Sequence, residues 1–144
     1  MLNIKLCVYR EIEQAFLNNA NEQGCILGSK KCLDEIDCCK QLPAIQSGDY
    51  YYVPDNHFAD ITIRNWAEEN ICFTGFIHSH TKGQMYFSDN DILFANKLLE
   101  SYQIPFLWFG LAVITEEHDV SMMFYRIYKE KGRLLLNPET IKTI

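Results

Sequence analysis

ICFTGFIHSH, residues 71–80, is apolar at positions that fall on both faces of an extended chain, and it ends in two histidines two residues apart. A strand of that pattern is covered on each side, so it belongs in the middle of a sheet. The rest of the chain supplies the neighbours such a strand needs. GCILGSK, residues 24–30, is a short apolar run between glycines and predicts a second buried strand. Part of 36–44 predicts a third, ahead of the loop QSGDY. Residues 107–115 and 121–129 read as two more, around the turn-like EEHD.

Helical spacing of apolar residues appears in three places: 9–19, stopped by NNAN; 58–70, after VPDNH; and 88–102. KEKGRLLLNPETIKTI at the C-terminus reads as a strand and a tail. Strands and helices mingle without repeat, low-complexity tract or linker. The expected class is α/β or α+β around one mixed sheet, and 144 residues suit a single domain spanning 1–144.

Hydrophobic residues make up 48% of the chain and charged residues 22%, the balance of an ordinary folded domain. Net charge is −6 and the lysines and arginines form no cluster, which argues against a nucleic-acid partner. MLNIKLCVYREIEQ lacks the apolar core and cleavage site of a signal peptide. The longest apolar run, IPFLWFGLAVI, is about half the length of a bilayer-spanning helix. These features predict a cytoplasmic protein with no membrane partner. Its six cysteines (Cys7, Cys25, Cys32, Cys38, Cys39, Cys72) would then stay reduced, and no C-x-x-C pair suggests a zinc cluster.

Residues two apart on a strand share a face, so His78 and His80 project together and can share a metal. Ser88-Asp89-Asn90-Asp91, a little downstream, looks first like the capping of a helix start. The helical wheel adds a second reading. Asp91 shares its face with Phe94, Ala95, Leu98 and Tyr102, opposite Asn96, Lys97 and Glu100, with Leu93 an exception on the polar side. Asp91 is therefore expected to point inward, where a carboxylate needs a compensating partner. Asp89, about 160° away on the wheel, is expected to be solvated.

Two neutral imidazoles and one carboxylate suit a zinc ion. Three protein ligands leave the fourth tetrahedral position to water, as in catalytic sites. Such chemistry also needs a base near the metal, for which Glu11, Glu13, Glu22, Glu68 and Glu69 are all candidates. Glu22 stands out because it precedes a buried strand that could run beside the histidine strand.

These residues resemble the JAMM (MPN-plus) metallopeptidases. His78-x-His80, seven residues, Ser88, two residues and Asp91 reproduce H-x-H-x(7)-S-x-x-D with every spacing kept. Glu22-Gln23-Gly24-Cys25-Ile26-Leu27 is similar to the E-x-G-G-I-L stretch of the prokaryotic JAB-like branch. The resemblance runs from about residue 10 to residue 115. Two residues depart from the pattern: Cys25 stands where a second glycine is common, and Thr81 replaces the proline that often follows the second histidine.

The resemblance implies an α/β, cytidine-deaminase-like MPN domain with a central mixed sheet flanked by helices. It implies a zinc hydrolase in which His78, His80 and Asp91 hold one Zn2+ per chain, Glu22 is the general base and Ser88 helps hold the oxyanion. The expected reaction is hydrolysis of an amide bond at the C-terminal tail of a ubiquitin-like or small sulfur-carrier protein. The alternative is an MPN-type scaffold or protein-binding module that does no chemistry.

Other H-x-H hydrolases fit less well. Metallo-β-lactamase-like enzymes need an Asp-His pair where this chain has Thr81-Lys82. Barrel amidohydrolases need roughly 250 residues. Nucleotide deaminases need a glutamate beside the histidine and P-C-x-x-C. His57 and His118, in loop-like contexts, are expected at the surface, and Phe106–Phe109 in a core strand. Gly75, inside the histidine strand, either packs against a neighbour, forms a bulge, or admits a substrate backbone.

Overall fold

A computed structural model describes residues 1–18, 21–31, 33–48, 52–80 and 86–144. The chain runs β1 (Leu2–Ile4), α1 (Leu6–Leu17), β2 (Gly24–Ser29), β3 (Glu35–Ile36), β4 (Cys38–Leu42), β5 (Ala44–Ser47), β6 (Tyr52–Pro54), α2 (Asn56–Glu68) and β7 (Cys72–His80). It continues with α3 (Asp89–Tyr102), β8 (Leu107–Ile114), β9 (Val120–Glu130), β10 (Arg133–Glu139) and β11 (Ile141–Thr143). The architecture is α/β, with a central mixed sheet flanked by helices. Six strands lie in the order β10-β9-β8-β7-β2-β4, and the histidine strand β7 runs parallel to β8 and antiparallel to β2. As expected from its two apolar faces, β7 is internal, and every residue from Phe73 to His80 is buried.

Alternation along the strands sorts the core into two layers. On one face, Val8, Ile12 and Phe16 of α1 pack on Cys25, Leu27, Ile77, Trp108 and Phe124. On the other, Ala59 of α2 and Ala95, Leu98 and Leu99 of α3 pack on Ile26, Phe73, Phe76 and Phe109. Phe73 and Phe76 share this second layer although they are three residues apart. Leu27 pairs with Gly75 and Gly28 with Phe73, leaving Thr74 as an extra residue in β7. This bulge resets the alternation, so that Phe76, His78 and His80 face α3 together with Phe73.

Gly75 serves packing. A Cβ there would stand 2.2 Å from the Trp108 carbonyl oxygen, its partner on β8. Of the readings open to this glycine, close approach of two strands beside a bulge is the one realised.

The element ends differ from the sequence expectation where distant partners set them. Helix α1 starts at Leu6 rather than Tyr9, because the Leu6 N–H donates to the Ile144 carbonyl at 2.8 Å. Its expected end at Asn19 lies outside the described residues. The expected strand within 36–44 is divided: β3 ends before Asp37, and Pro43, which has no N–H to give, separates β4 from the β5–β6 hairpin. Strands β1 and β11, three residues each, pair in parallel with one another, and β1 also pairs with β3. Five cysteines among the described residues are free, with Cys25 buried and Cys7 and Cys72 exposed; Cys32 lies outside them. Among the described residues no helix is long and apolar enough to cross a membrane.

Candidate metal centre

Three elements deliver the polar residues to one place. β7 ends on His78 and His80, both on the α3 face; α3 begins at Ser88; and β2, antiparallel to β7, brings in the segment before Gly24. The N-terminus of α3 has the expected capping box. Ser88 Oγ accepts from the Asp91 N–H at 3.2 Å, and the Ser88 N–H donates to Asp91 Oδ2 at 2.8 Å. The same carboxylate reaches the histidines: His78 Nε2 lies 3.1 Å from Oδ1, and His80 Nε2 3.0 Å from Oδ2. Capping and inward pointing, which competed as readings of Asp91, are thus both satisfied by one side chain. Asp89 is exposed and takes no part in the cluster.

His78 Nε2 and His80 Nε2 are themselves 3.0 Å apart. Two ring nitrogens and a carboxylate therefore meet at the corners of a small triangle. Ligands about 2.0–2.1 Å from a tetrahedral zinc stand roughly 3.3 Å from each other; here the two ring nitrogens are 3.0 Å apart and each faces its own oxygen of the Asp91 carboxylate at 3.0–3.1 Å, a spacing compatible with such an ion. Among the described residues, His78, His80 and Asp91 are the group of potential ligands whose atoms come together, all within 4.8 Å. The donor set, two imidazoles and one carboxylate, is compatible with a single Zn2+.

Burial would raise the carboxyl of Asp91, but the hydrogen-bonding contacts with His78 and His80 and the Ser88 N–H outweigh it and hold the group well below the usual carboxylate range. Asp91 is an anion at neutral pH, as a ligand must be.

The ring of His78 is held by aromatic contacts. Phe76, Phe87 and Phe109 surround it with centroids at 5.8, 6.1 and 5.7 Å. Its buried Nδ1 has no hydrogen-bond partner among the described residues. Phe76 could be placed on the histidine face from the period of two, whereas Phe87 and Phe109 arrive from other elements and leave no local signal in the sequence.

Glu22 lies where the order of the strands puts it. Gly24 pairs with His78, and the Ser79 N–H donates to the Gln23 carbonyl at 2.8 Å, which brings Glu22 alongside His80. Its backbone is tied on both sides: the Glu22 N–H donates to the Gly48 carbonyl at 3.1 Å, and Ser47 Oγ donates to the Glu22 carbonyl at 2.7 Å. Glu22 is only 5% exposed. Burial pushes its carboxyl up to about 7, His80 pulls it back, and the Asp91 charge pushes it further up. Of the five acids considered from sequence, Glu22 is the one that senses both His80 and Asp91.

His57 and His118 are exposed, and Trp108 faces the α1 layer, away from the cluster. Thr81 and most of the loop 81–87 lie outside the described residues. A cleft of about 600 Å³ between α2 and α3 holds none of the cluster residues.

The chain matches the family model described as prokaryotic homologs of the JAB domain over residues 8–128. Comparison with curated proteins gives no match. Among solved structures it is similar to the solution structure of protein DSY2949 from Desulfitobacterium hafniense, with a TM-score of 0.68 and 15% identity, covering 100% of this chain and 94% of that one. At that identity the likeness bears on the fold alone.

Proposed function

This chain belongs to the family of prokaryotic homologs of the JAB domain, and on that premise we propose that it is a zinc-dependent metallopeptidase or isopeptidase. Its substrate is the C-terminal tail of a ubiquitin-like or small sulfur-carrier protein. The observation that carries this reading is the meeting of His78, His80 and Asp91 within 4.8 Å, with Glu22 buried on the same face. A scaffold has no use for an anion, two imidazoles and a buried carboxyl held together.

His78, His80 and Asp91 would hold the metal. When bound, zinc supplies a Lewis acid that polarises a carbonyl oxygen and makes a water acidic near neutral pH. Glu22 takes the proton from the attacking water and returns it to the leaving nitrogen, a role that suits a carboxyl titrating near 7. Ser88 Oγ spends a lone pair on the Asp91 N–H, so its hydroxyl hydrogen remains available to the carbonyl oxygen as charge grows there. The reading also puts the protein in the cytoplasm, where its free cysteines stay reduced.

The test is metal content by mass spectrometry on wild type and Asp91→Ala, with cleavage of ubiquitin-like and sulfur-carrier fusions followed on the same samples. About one zinc per chain, lost in Asp91→Ala, together with zinc-dependent cleavage, is expected. Wild type without stoichiometric metal would overturn the reading.

A further inference from the structure

The central sheet ends at β10, and among the described residues no strand lies beyond it. β9 and β10 are joined by Lys131-Gly132, with φ of 51° and 76°, the two left-handed residues of a tight hairpin. In such a hairpin the flanking pair, Glu130 and Arg133, exchanges two hydrogen bonds, and bonded pairs recur at every second residue. Arg133, Leu135, Asn137 and Glu139 therefore turn their backbone groups toward β9, and Leu134, Leu136 and Pro138 turn theirs outward. Pro138 fits this count, since its nitrogen lacks a hydrogen on the side where β9 does not need one.

Free edges are commonly blunted by a bulge or by charge along the strand. β10 keeps an unbroken register with β9, and RLLLNPE places three consecutive, partly exposed leucines in it. Its charges lie at the two ends, Arg133 and Glu139, with Leu136 midway. That arrangement is self-complementary. Two antiparallel copies crossing at Leu136 set each Arg133 opposite the other's Glu139, on one face of the sheet. Glu139 Oε2 lies 3.1 Å from the Met1 ammonium, which leaves Oε1 for a second cation.

We propose that β10 pairs with β10 of a second copy of this chain, antiparallel and about a twofold axis at Leu136, joining the two six-stranded sheets into one. Each Leu136 exchanges hydrogen bonds with its twin, and each Leu134 N–H donates to the opposite Pro138 carbonyl. Sliding the strands so that Leu134 faces Leu136 allows as many bonds, but sets Arg133 against Asn137 and leaves the end charges unmatched. Charge complementarity selects the first register. On the opposite face Leu134 and Leu136, which pack on the α2 and α3 layer, meet Pro138 and Leu136 of the second copy and carry the apolar layer across the junction.

The association does not involve the metal centre and is read on the full chain by sedimentation equilibrium. A single strand pair lies at the small end of specific interfaces, so a Kd on the order of 10–100 µM is expected. Arg133→Glu should weaken it at least about tenfold, because like charges then face each other at both ends. Glu139→Arg should do the same. The double variant exchanges the two charges and should return to within about threefold of wild type. Leu136→Pro removes the central outward donors, as Pro138 already does two residues along, and should leave only monomer with its circular dichroism unchanged. Wild type that stays monomeric to about 1 mM would overturn the pairing. So would a dimer indifferent to Arg133→Glu, or a double variant as weak as the single ones. Should Leu136→Pro fail to fold, the charge exchange decides alone.

Discussion

Ser88 and Asp91 are bonded to each other twice, N–H to carboxylate at 2.8 Å and N–H to hydroxyl at 3.2 Å, while the same carboxylate faces both histidines. The first turn of α3 therefore fixes the Asp91 carboxylate in place without a separate orienting residue. Asp91→Asn keeps an oxygen for the Ser88 N–H and removes the charge. It should drop bound zinc from about one per chain to below one tenth, while the metal-free Tm changes by no more than roughly 2–4 °C. Metal analysis beside a thermal melt checks both halves.

Glu22→Gln should lower cleavage by about 10²–10⁴-fold, the usual share of a general acid–base, with zinc still bound. A variant that loses metal and activity together would assign Glu22 to the ligand set instead.

The metal-free protein should show the cost of burying Glu22 as a pH dependence. Its carboxyl is raised from 4.5 to about 7, so the folded state holds a proton that the unfolded state has already released. Stability from this group is thus present at low pH and lost as pH rises from about 4.5 through 7. Asp91, with its lowered carboxyl, acts in the opposite sense, losing stability only as pH falls below its ordinary 3.8, outside this window. Glu22→Gln should raise the metal-free Tm by roughly 2–4 °C at pH 8 and give no gain at pH 4.5.

On the proposed function Ser88 has two separable duties, a cap and an oxyanion donor. Ser88→Ala should cost about 1 kcal/mol of stability through the lost cap and lower kcat by about 10²–10³-fold through the lost donor. Ser88→Asp should recover the stability, since aspartate also caps, without recovering kcat. Chemical denaturation and steady-state kinetics on the pair separate the two effects.

Gly75→Ala should destabilise the fold by roughly 2–3 kcal/mol in urea titration, because backbone at 2.2 Å from the new Cβ has no flexible side chain to move aside.

Much of the site was legible in the sequence because its signals are local. The two-residue spacing of His78 and His80 and the three-residue spacing of Ser88 and Asp91 each sit within one element, and that element's period fixes the face. The exposed Leu93, the exception on the wheel, follows from the same rule. Glu22 was one acid among five until β2 was paired with β7, since a strand order is not written in either strand. The same holds for the fold. β7 and β8 announce themselves as apolar runs, whereas β1 and β11 exist only through each other, and the start of α1 depends on a carbonyl at Ile144. The layer of aromatic rings around His78 draws on β7, β8 and the segment before α3, and has no counterpart in any one stretch of sequence.

The bulge at Thr74 gives β7 a phase as well as a composition. Counted from Phe73, which of the two layers receives the imidazoles is set by parity, and the extra residue supplies the odd step. The motif can be intact in every letter and still be delivered to the wrong side of the sheet. Changing the side chain of Thr74 leaves that count untouched, whereas deleting the residue forces either Phe73 or both histidines to change sides. Insertions and deletions between Phe73 and Phe76 are therefore expected to disrupt the candidate metal centre as strongly as loss of His78 or His80, though no atom of those intervening residues belongs to it.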